Sequence, residues 1–298
     1  MTRVLVTGGA GFIGREVVAA LAGAGAEVHV VSRSPAVESE LVHSADLLRT
    51  PAAVIEAVRP DLLVHLAWVT EHRAYWSSPE NLDWVAASLT MLRAFAAGGG
   101  RRVLIAGSCA EYGWDSSALT LREDATLRPA TLYGSSKAAL QQVADSFLTG
   151  EGIELAWGRI FHLYGPGEGP GRLVPSIARP LLAGQPADTT EGTQVRDFLH
   201  VRDAGRALAE LARSPVTGAV NIASGEGVAV REVAELVAVA AGRPELLRVG
   251  AVPSRAGDPA RIVADIGRLR DEVGFQPSIT LQQGVSEQVA GLASRQPG

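Results

Sequence analysis

Short apolar runs alternate along this chain with longer segments in which apolar residues recur every three or four positions. The short runs predict strands, because strands buried in a parallel sheet are almost continuously apolar, and the longer segments predict amphipathic helices. The predicted strands cover residues 4–6, 27–31, 61–67, 102–106, 154–161 and 220–222, and the predicted helices cover residues 15–24, 50–58, 79–97, 133–149, 204–212 and 228–241. Because strands and helices alternate strictly in the first half, we expect an α/β fold with a doubly wound parallel sheet.

A glycine-rich segment, T-G-G-A-G-F-I-G at residues 7–14, joins the first strand to the first helix. Glycines here would let the backbone turn sharply, approach a pyrophosphate and pack the helix against the strand. The free N–H groups at the start of the helix would then hold the anion. The strand–turn–helix context predicts a Rossmann-type dinucleotide site. The residues assigned to it are Gly8, Gly11, Phe12, Ile13 and Gly14.

The end of the second strand carries Ser32 and Arg33 where an NAD-binding chain would carry a carboxylate, about 20 residues past the glycines. A carboxylate would repel the 2′-phosphate of NADP, whereas Arg33 can pair with it and Ser32 can donate to it. These two residues predict NADP(H) in preference to NAD(H). Ligands in such folds bind beyond the carboxyl ends of the strands. The further residues assigned to the cofactor are Asp46, Leu47, Leu66 and Ala67.

The composition is that of an ordinary globular protein: 298 residues, 47% hydrophobic and 20% charged, with a net charge of -5. The negative charge offers no basic field for nucleic acid. No apolar run reaches membrane-spanning length, no signal-peptide pattern is present, and a single cysteine allows no internal disulfide. We therefore expect a cytoplasmic protein that binds neither nucleic acid nor membrane, and we expect no metal site.

Tyr133 and Lys137 are four residues apart in a predicted helix, so they share one face. A tyrosine can exchange a proton with a carbonyl or an alcohol, but its ordinary pKa is about 10. A neighbouring ammonium group lowers that pKa by favouring the phenolate. Lys137 is the only lysine of the chain, and arginine is used everywhere else, which makes the position of this lysine informative.

Three motifs together resemble the extended short-chain dehydrogenase/reductase family, in its nucleotide-sugar epimerase, dehydratase and reductase branch. They are residues 7–14, S-C-A-E-Y-G at 108–113 and Y-G-S-S-K at 133–137, and the resemblance extends from residue 3 to about residue 284. It implies that Tyr133 exchanges the proton, that Lys137 lowers its pKa and holds the cofactor ribose, and that Ser108 orients the substrate oxygen.

Two departures from the family narrow the expected chemistry. Members that catalyse 3,5-epimerisation carry a reactive cysteine two residues after the serine and a histidine downstream, where this chain has Ala110 and Arg172. Dehydratases of the family carry an Asp–Glu pair directly after the serine, where this chain has Cys109 and Ala110. We therefore expect neither reaction, and we assign Cys109 to the substrate side of the site as a small packing residue.

The second half resembles the family's substrate-binding portion. His162 stands where an asparagine that touches substrate is usual, and Arg196 and Arg255 match two arginines that contact the substrate diphosphate. Asp203 fits the N-cap of the following helix. Glycine and proline dominate residues 165–171 and indicate a boundary. We expect a cofactor domain over residues 1–165 and about 192–223, and a smaller C-terminal α/β substrate domain over about 166–191 and 224–298.

The favoured activity is NADPH-dependent reduction of a nucleotide-activated sugar, a dTDP- or GDP-linked 4-keto-6-deoxyhexose. The alternatives are an NAD-dependent 4-epimerase, a ketoreductase for a non-sugar ketone stacked on Trp68, Trp76 and Trp114, and an NADP-binding regulator without activity. The family implies a homodimer formed through the tyrosine helix. The residues suited to that interface are Leu89, Leu92, Leu140 and Val143.

Overall fold

The computed structural model describes residues 2–33, 41–71, 74–114, 120–254 and 257–294, so the predicted substrate residue Arg255 lies outside the described residues. The strands are β1 (Arg3–Thr7), β2 (Glu27–Ser32), β3 (Val42–Ser44), β4 (Leu62–His65), β5 (Arg102–Ser108), β6 (Glu154–Ile160), β7 (His162–Tyr164), β8 (Ala187–Asp188), β9 (Val195–His200), β10 (Gly218–Ile222), β11 (Gly227–Ala229), β12 (Leu247–Arg248) and β13 (Arg261–Ile262). The α-helices are α1 (Gly14–Gly23), α2 (Ala53–Val58), α3 (Glu80–Ala97), α4 (Leu132–Gly150), α5 (Leu173–Leu182), α6 (Val201–Arg213), α7 (Val230–Ala240), α8 (Gly267–Asp271) and α9 (Leu281–Ala293). Short 3₁₀ helices cover Cys109–Glu111 and Pro244–Leu246.

Seven parallel strands form the central sheet in the order β10-β6-β5-β4-β1-β2-β3. The chain runs outward from β1 in one direction through β2 and β3, and then crosses back to β4 on the other side. Ligands of open α/β sheets bind at such a reversal of strand order. The predicted Rossmann-type parallel sheet is confirmed, and the glycine-rich turn follows β1 at the reversal.

Successive side chains of β1 point to opposite faces of the sheet and belong to two separate cores. Val4 and Val6 pack on one face, against α1 and α6, while Leu5 packs on the opposite face. The second face is covered by α3 and α4, which pack against each other. Leu92 and Leu140 are 1% and 0% exposed in this second core, so they are not available for the subunit interface that the sequence predicted for them. Of the remaining residues proposed for that interface, Val143 is 49% exposed.

A smaller region follows the central sheet. It contains the sheet β11-β9-β13, with β7 pairing β9, and the pair β12-β8. Helices α5, α7 and α9 pack together over an apolar core of their own. The division of the chain into a cofactor domain and a substrate domain stays a prediction, and the pairing shows that residues 162–164 and 195–200 belong to the small sheet.

The start of α6 differs from its prediction. The helix begins at Val201, and the N-cap is His200, whose Nδ1 accepts a hydrogen bond from the backbone N–H of Arg202. Asp203 therefore lies inside the first turn, where its buried carboxylate accepts from the backbone N–H groups of Ser278 and Ile279. The aspartate joins α6 to the segment before α9 instead of capping the helix. Among the described helices, none has the length and apolar character that crossing a membrane requires.

Candidate active site

The turn after β1 has the shape that a dinucleotide pyrophosphate requires. Gly8 adopts a φ of 70°, and a Cβ there would stand 2.9 Å from the backbone nitrogen of Ala67. A Cβ on Gly14 would stand 2.0 Å from the carbonyl oxygen of Gly8. Any side chain at either position would collide with backbone atoms, so the turn keeps its open cradle at the N-terminus of α1 only with glycine. This part of the chain fits the NAD(P) that the motif predicts.

A buried hydrogen-bond chain fixes the ends of β1 and β4 beside that turn. Ser88 Oγ donates to the Trp84 carbonyl, so His65 Nε2 donates to Ser88 Oγ, and His65 Nδ1 accepts from Thr7 Oγ1 at 2.7 Å. Thr7 Oγ1 in turn accepts from the backbone nitrogens of Leu66 and Ala67. Burial lowers the pKa of His65 to about 3, which keeps the ring neutral. Two of the predicted cofactor residues are thereby held in place.

A cleft of about 400 Å³ opens over the turn and the ends of β2 and β4. The predicted cofactor residues that line it are Gly8, Gly11, Ser32, Arg33, Asp46, Leu47 and Ala67. Ile13 is the N-cap of α1 and packs against the core, Leu66 packs there as well, and Phe12 lies under the Arg15 guanidinium. The cleft gathers most of the positions that the sequence assigned to the cofactor.

Ser108, Tyr133 and Lys137 come together at the end of β5. Ser108 is the last residue of that strand, and Tyr133 and Lys137 lie one turn apart in α4, whose N-cap Thr131 accepts a hydrogen bond from the backbone N–H of Gly134. The Ser108 side chain lies close enough to the Tyr133 phenol to influence its pKa. Lys137 lies only 3% exposed and donates to the Ala106 carbonyl at 2.8 Å. The predicted catalytic residues therefore form one cluster.

The titration of this cluster differs from the sequence prediction. Burial raises the pKa of Tyr133, and the nearby Ser108 side chain offsets only part of that rise. Burial also lowers the pKa of Lys137 to about 7, against an opposing effect of the nearby Glu111 carboxylate. The direction for Tyr133 is opposite to the lowered tyrosine pKa that the sequence predicted, because desolvation of the phenol is the largest influence on it.

Aromatic rings surround Tyr133 in a way that the sequence indicated only in part. Tyr75 and Trp76 contact the Tyr133 ring edge to face, at centroid distances of 5.0 and 5.8 Å, and Trp114 contacts Trp76 at 6.1 Å. Arg172 lies over the Tyr75 ring at 5.5 Å. The sequence grouped Trp68 with Trp76 and Trp114, but Trp68 is buried beneath Lys137 instead. No local pattern could place Tyr75 and Arg172 together, because they are far apart in the sequence.

Of the predicted substrate residues, Arg196 lies close enough to both Cys109 and His162 to influence their pKa values. Burial raises the pKa of the Cys109 thiol to about 12, which fits a packing residue and excludes a thiolate nucleophile at neutral pH. Burial and the charges of Arg196 and Arg172 lower the pKa of His162 to about 3. Its Nδ1 has no hydrogen-bond partner among the described residues and can accept from a ligand. Arg196, 5% exposed, donates to Asp258 at 2.6 Å.

Glu111 is a buried carboxylate that binds the last residue of β5. Its carboxylate is 0% exposed and accepts from the backbone N–H of Ser108 at 2.7 Å and from Arg159 Nε at 2.8 Å. This glutamate is the buried ion-pair partner of Arg159. Within the described parts of the chain, no group of three His, Cys, Asp or Glu side chains could hold a metal ion.

Comparison with known proteins adds a family to this geometry. The model of the NAD dependent epimerase/dehydratase family matches residues 4–223. The chain is 31% identical to a UDP-glucose 4-epimerase of Azospirillum brasilense, covering 95% of this chain and 89% of that protein. It is 30% identical to a dTDP-4-dehydro-6-deoxy-D-allose reductase of a Streptomyces species, covering 95% and 94%. The solved UDP-glucose 4-epimerase of Thermus thermophilus in complex with NAD is 29% identical and superimposes with a TM-score of 0.86, covering 98% and 99%.

Proposed function

The chain belongs to the NAD dependent epimerase/dehydratase family, and on that premise we propose that it is an NADPH-dependent ketoreductase of a nucleoside-diphosphate sugar, acting on the C4 ketone of a 4-keto-6-deoxyhexose. The observation that carries the proposal is the cluster of Ser108 at the end of β5 with Tyr133 and Lys137 on α4. Lys137 lies over Trp68, which lines the dinucleotide cleft. The similarity to the Streptomyces reductase supports the reaction and the substrate class.

The side chains divide the work of reduction among them. Nicotinamide, when bound, supplies a hydride for the carbonyl carbon. Ser108 donates a hydrogen bond to the ketone oxygen and orients it toward Tyr133. The phenol of Tyr133 is protonated at neutral pH and donates its proton to the developing alkoxide. Lys137, when charged, stabilises the phenolate that this transfer leaves behind.

The substrate would lie on the side of Cys109, His162 and Arg196. His162 Nδ1 is neutral and can accept a hydrogen bond from a sugar hydroxyl. Arg196 is suited to a diphosphate because a guanidinium matches phosphate oxygens in two-point contacts. Arg255 is proposed for the same diphosphate on its sequence match alone.

The proposal for NADP(H) rests on Ser32 and Arg33, which line the cleft at the end of β2. Neither of them is the carboxylate that an NAD-binding chain carries at this place. An arginine at this place pairs with a 2′-phosphate, and a serine donates to it. The Thermus epimerase was solved with NAD, so the coenzymes have to be compared directly. We also propose a homodimer, on the resemblance alone.

A second candidate function is a nucleotide-sugar 4-epimerase. The similarity to the Azospirillum and Thermus enzymes favours it. Such an enzyme would oxidise and re-reduce its substrate on one retained coenzyme, with no net consumption of NADPH.

The test measures NADPH and NADH oxidation by the purified protein with dTDP-4-keto-6-deoxyglucose, beside conversion of UDP-glucose to UDP-galactose. We expect stoichiometric oxidation, faster with NADPH. Tyr133→Phe should abolish turnover and still bind the coenzyme, because only the proton donor is lost. Tyr164→Phe is the control, since that phenol makes only a 3.3 Å contact to the Thr280 carbonyl in the small region. Full turnover by Tyr133→Phe overturns the mechanism, and UDP-glucose conversion without oxidation assigns the epimerase.

A further inference from the structure

The only lysine of the chain lies on the face of a tryptophan. Lys137 Nζ stands 3.7 Å from the centroid of the Trp68 ring and donates to the Ala106 carbonyl at 2.8 Å. Both side chains are buried, at 3% and 8% exposure. An ammonium over an indole is attracted to the negative face of the ring, most strongly where water is excluded. The contact is therefore an electrostatic one, made where it has its greatest effect.

The Trp68 ring is held in this orientation by a second buried residue. Its Nε1 donates to Asn81 Oδ1 at 2.8 Å, and Asn81, itself 0% exposed, donates through Nδ2 to the carbonyls of Tyr75 and Ser78 at 2.8 Å each. The amide of Asn81 thus has both its oxygen and its nitrogen satisfied. Trp84 stacks on Trp68 at 6.0 Å and completes the packing around it.

Asn81 is also linked to Tyr133, through Tyr75. Tyr75, whose carbonyl it binds, contacts the Tyr133 ring edge to face at 5.0 Å. One side chain at the start of α3 therefore fixes the ring beneath Lys137 and the loop that packs against Tyr133.

We propose that Trp68, oriented by Asn81, is a positioning residue that holds the Lys137 ammonium beside the dinucleotide cleft and stabilises its positive charge. The inference rests on the proposed catalytic role of Lys137 for its functional meaning, but the contact can be tested without substrate. Burial lowers the pKa of Lys137 to about 7 in spite of the Glu111 carboxylate. The groups that face it are Glu111 after β5, which raises that pKa, the neutral His65 on β4, and Tyr133 on its own helix.

A single lysine makes a direct measurement possible. Protein labelled with ¹³C and ¹⁵N lysine gives one side-chain signal, and its pH titration in the cofactor-free protein reports Lys137 alone. Trp68→Leu keeps the site apolar but removes the ring face, so the titration midpoint should fall by about one pH unit. Trp68→Phe, which keeps a weaker ring face, should fall by less.

Trp84→Phe is the matched control, because Trp84 packs against Trp68 and donates to Glu80. It should leave the Lys137 midpoint within a few tenths of a unit. An unchanged or raised midpoint in Trp68→Leu, or an equal fall in Trp84→Phe, overturns the proposal. If the leucine variant does not fold, Trp68→Phe takes its place, and an unchanged or raised Lys137 midpoint in that variant overturns the proposal. Absence of reductase activity would refute the proposed function but leave this titration result standing.

Discussion

Replacing Glu111 by glutamine perturbs the buried support of Ser108. One carboxylate oxygen of Glu111 accepts from the backbone N–H of Ser108, and the other from Arg159 Nε, while Trp157 Nε1 donates to both at 3.1 Å. All these neighbours are donors. Glutamine has nearly the same shape, but it places an N–H₂ group where an acceptor is needed and leaves the buried guanidinium without its counter-charge.

The expected loss of unfolding free energy follows from leaving the Arg159 charge buried without a partner. Removing one partner of a buried ion pair costs about 3–5 kcal/mol of unfolding free energy. The pair itself is no large source of stability, because burial raises the pKa of Glu111 in spite of Arg159 and the N–H donors. The loss therefore measures the cost of an uncompensated Arg159, which is 2% exposed. With a typical total of about 5–15 kcal/mol, the variant should fold with a small remaining margin.

The assay is urea unfolding at pH 7, followed by circular dichroism, with the urea dependence of the free energy expected to stay constant. Glu154→Gln is the control, because Glu154 pairs with Arg102 at 2.5 Å but its side chain is 53% exposed. Because Glu154 is exposed, losing this ion pair should cost less than about 1 kcal/mol of unfolding free energy. Equal losses in the two variants would refute the argument, since burial would then not distinguish the pairs. Turnover of Glu111→Gln should also fall, because Ser108 loses its backbone support.

Two further predictions concern the cleft and its lysine. Gly14→Ala should abolish coenzyme binding, measured by calorimetry, and lower the melting temperature, because its Cβ would meet the Gly8 carbonyl. Gly23→Ala is the control in the same helix and should retain binding, because its Cβ would meet open space. Coenzyme binding by both variants would contradict this prediction. For Lys137, the folded pKa of about 7 lies below the ordinary 10.5, so the unfolded chain binds a proton that the folded chain lacks between these values. The stability of the cofactor-free protein should rise with pH through that window by roughly 5 kcal/mol relative to Lys137→Met in urea unfolding. Parallel pH curves for the two proteins would exclude this effect.

The sheet and the cofactor turn could be predicted because their signals are local. An apolar strand followed at once by a glycine-rich turn and a helix is contained within about 20 residues. Ser108, Tyr133 and Lys137 were found through motifs of the same short range. Their convergence follows from parallel strands ending at one edge of the sheet, which the alternation of elements already implied.

The contacts that refine the site could not be predicted because they join distant segments. Trp68 looked like one more aromatic residue in a loop, and only the fold shows that it lies under Lys137. Asp203 satisfied every local rule for an N-cap, but its carboxylate is bound by backbone N–H groups at 278 and 279, and His200 caps the helix in its place. Tertiary partners override local preference at such positions.

Burial favours the uncharged form of both Tyr133 and Lys137, the two titratable residues of the proposed catalytic cluster. It raises the pKa of Tyr133 and lowers that of Lys137, so the site favours the neutral phenol and opposes the charged lysine. A reductase needs its tyrosine only as a proton donor, but a raised pKa makes the phenol a weaker acid. A 4-epimerase must take a proton and return it in one cycle, which a phenol pKa closer to neutrality would serve better. The cation–π contact with Trp68 then matters most at the moment of donation, because it favours the ammonium that stabilises the new phenolate.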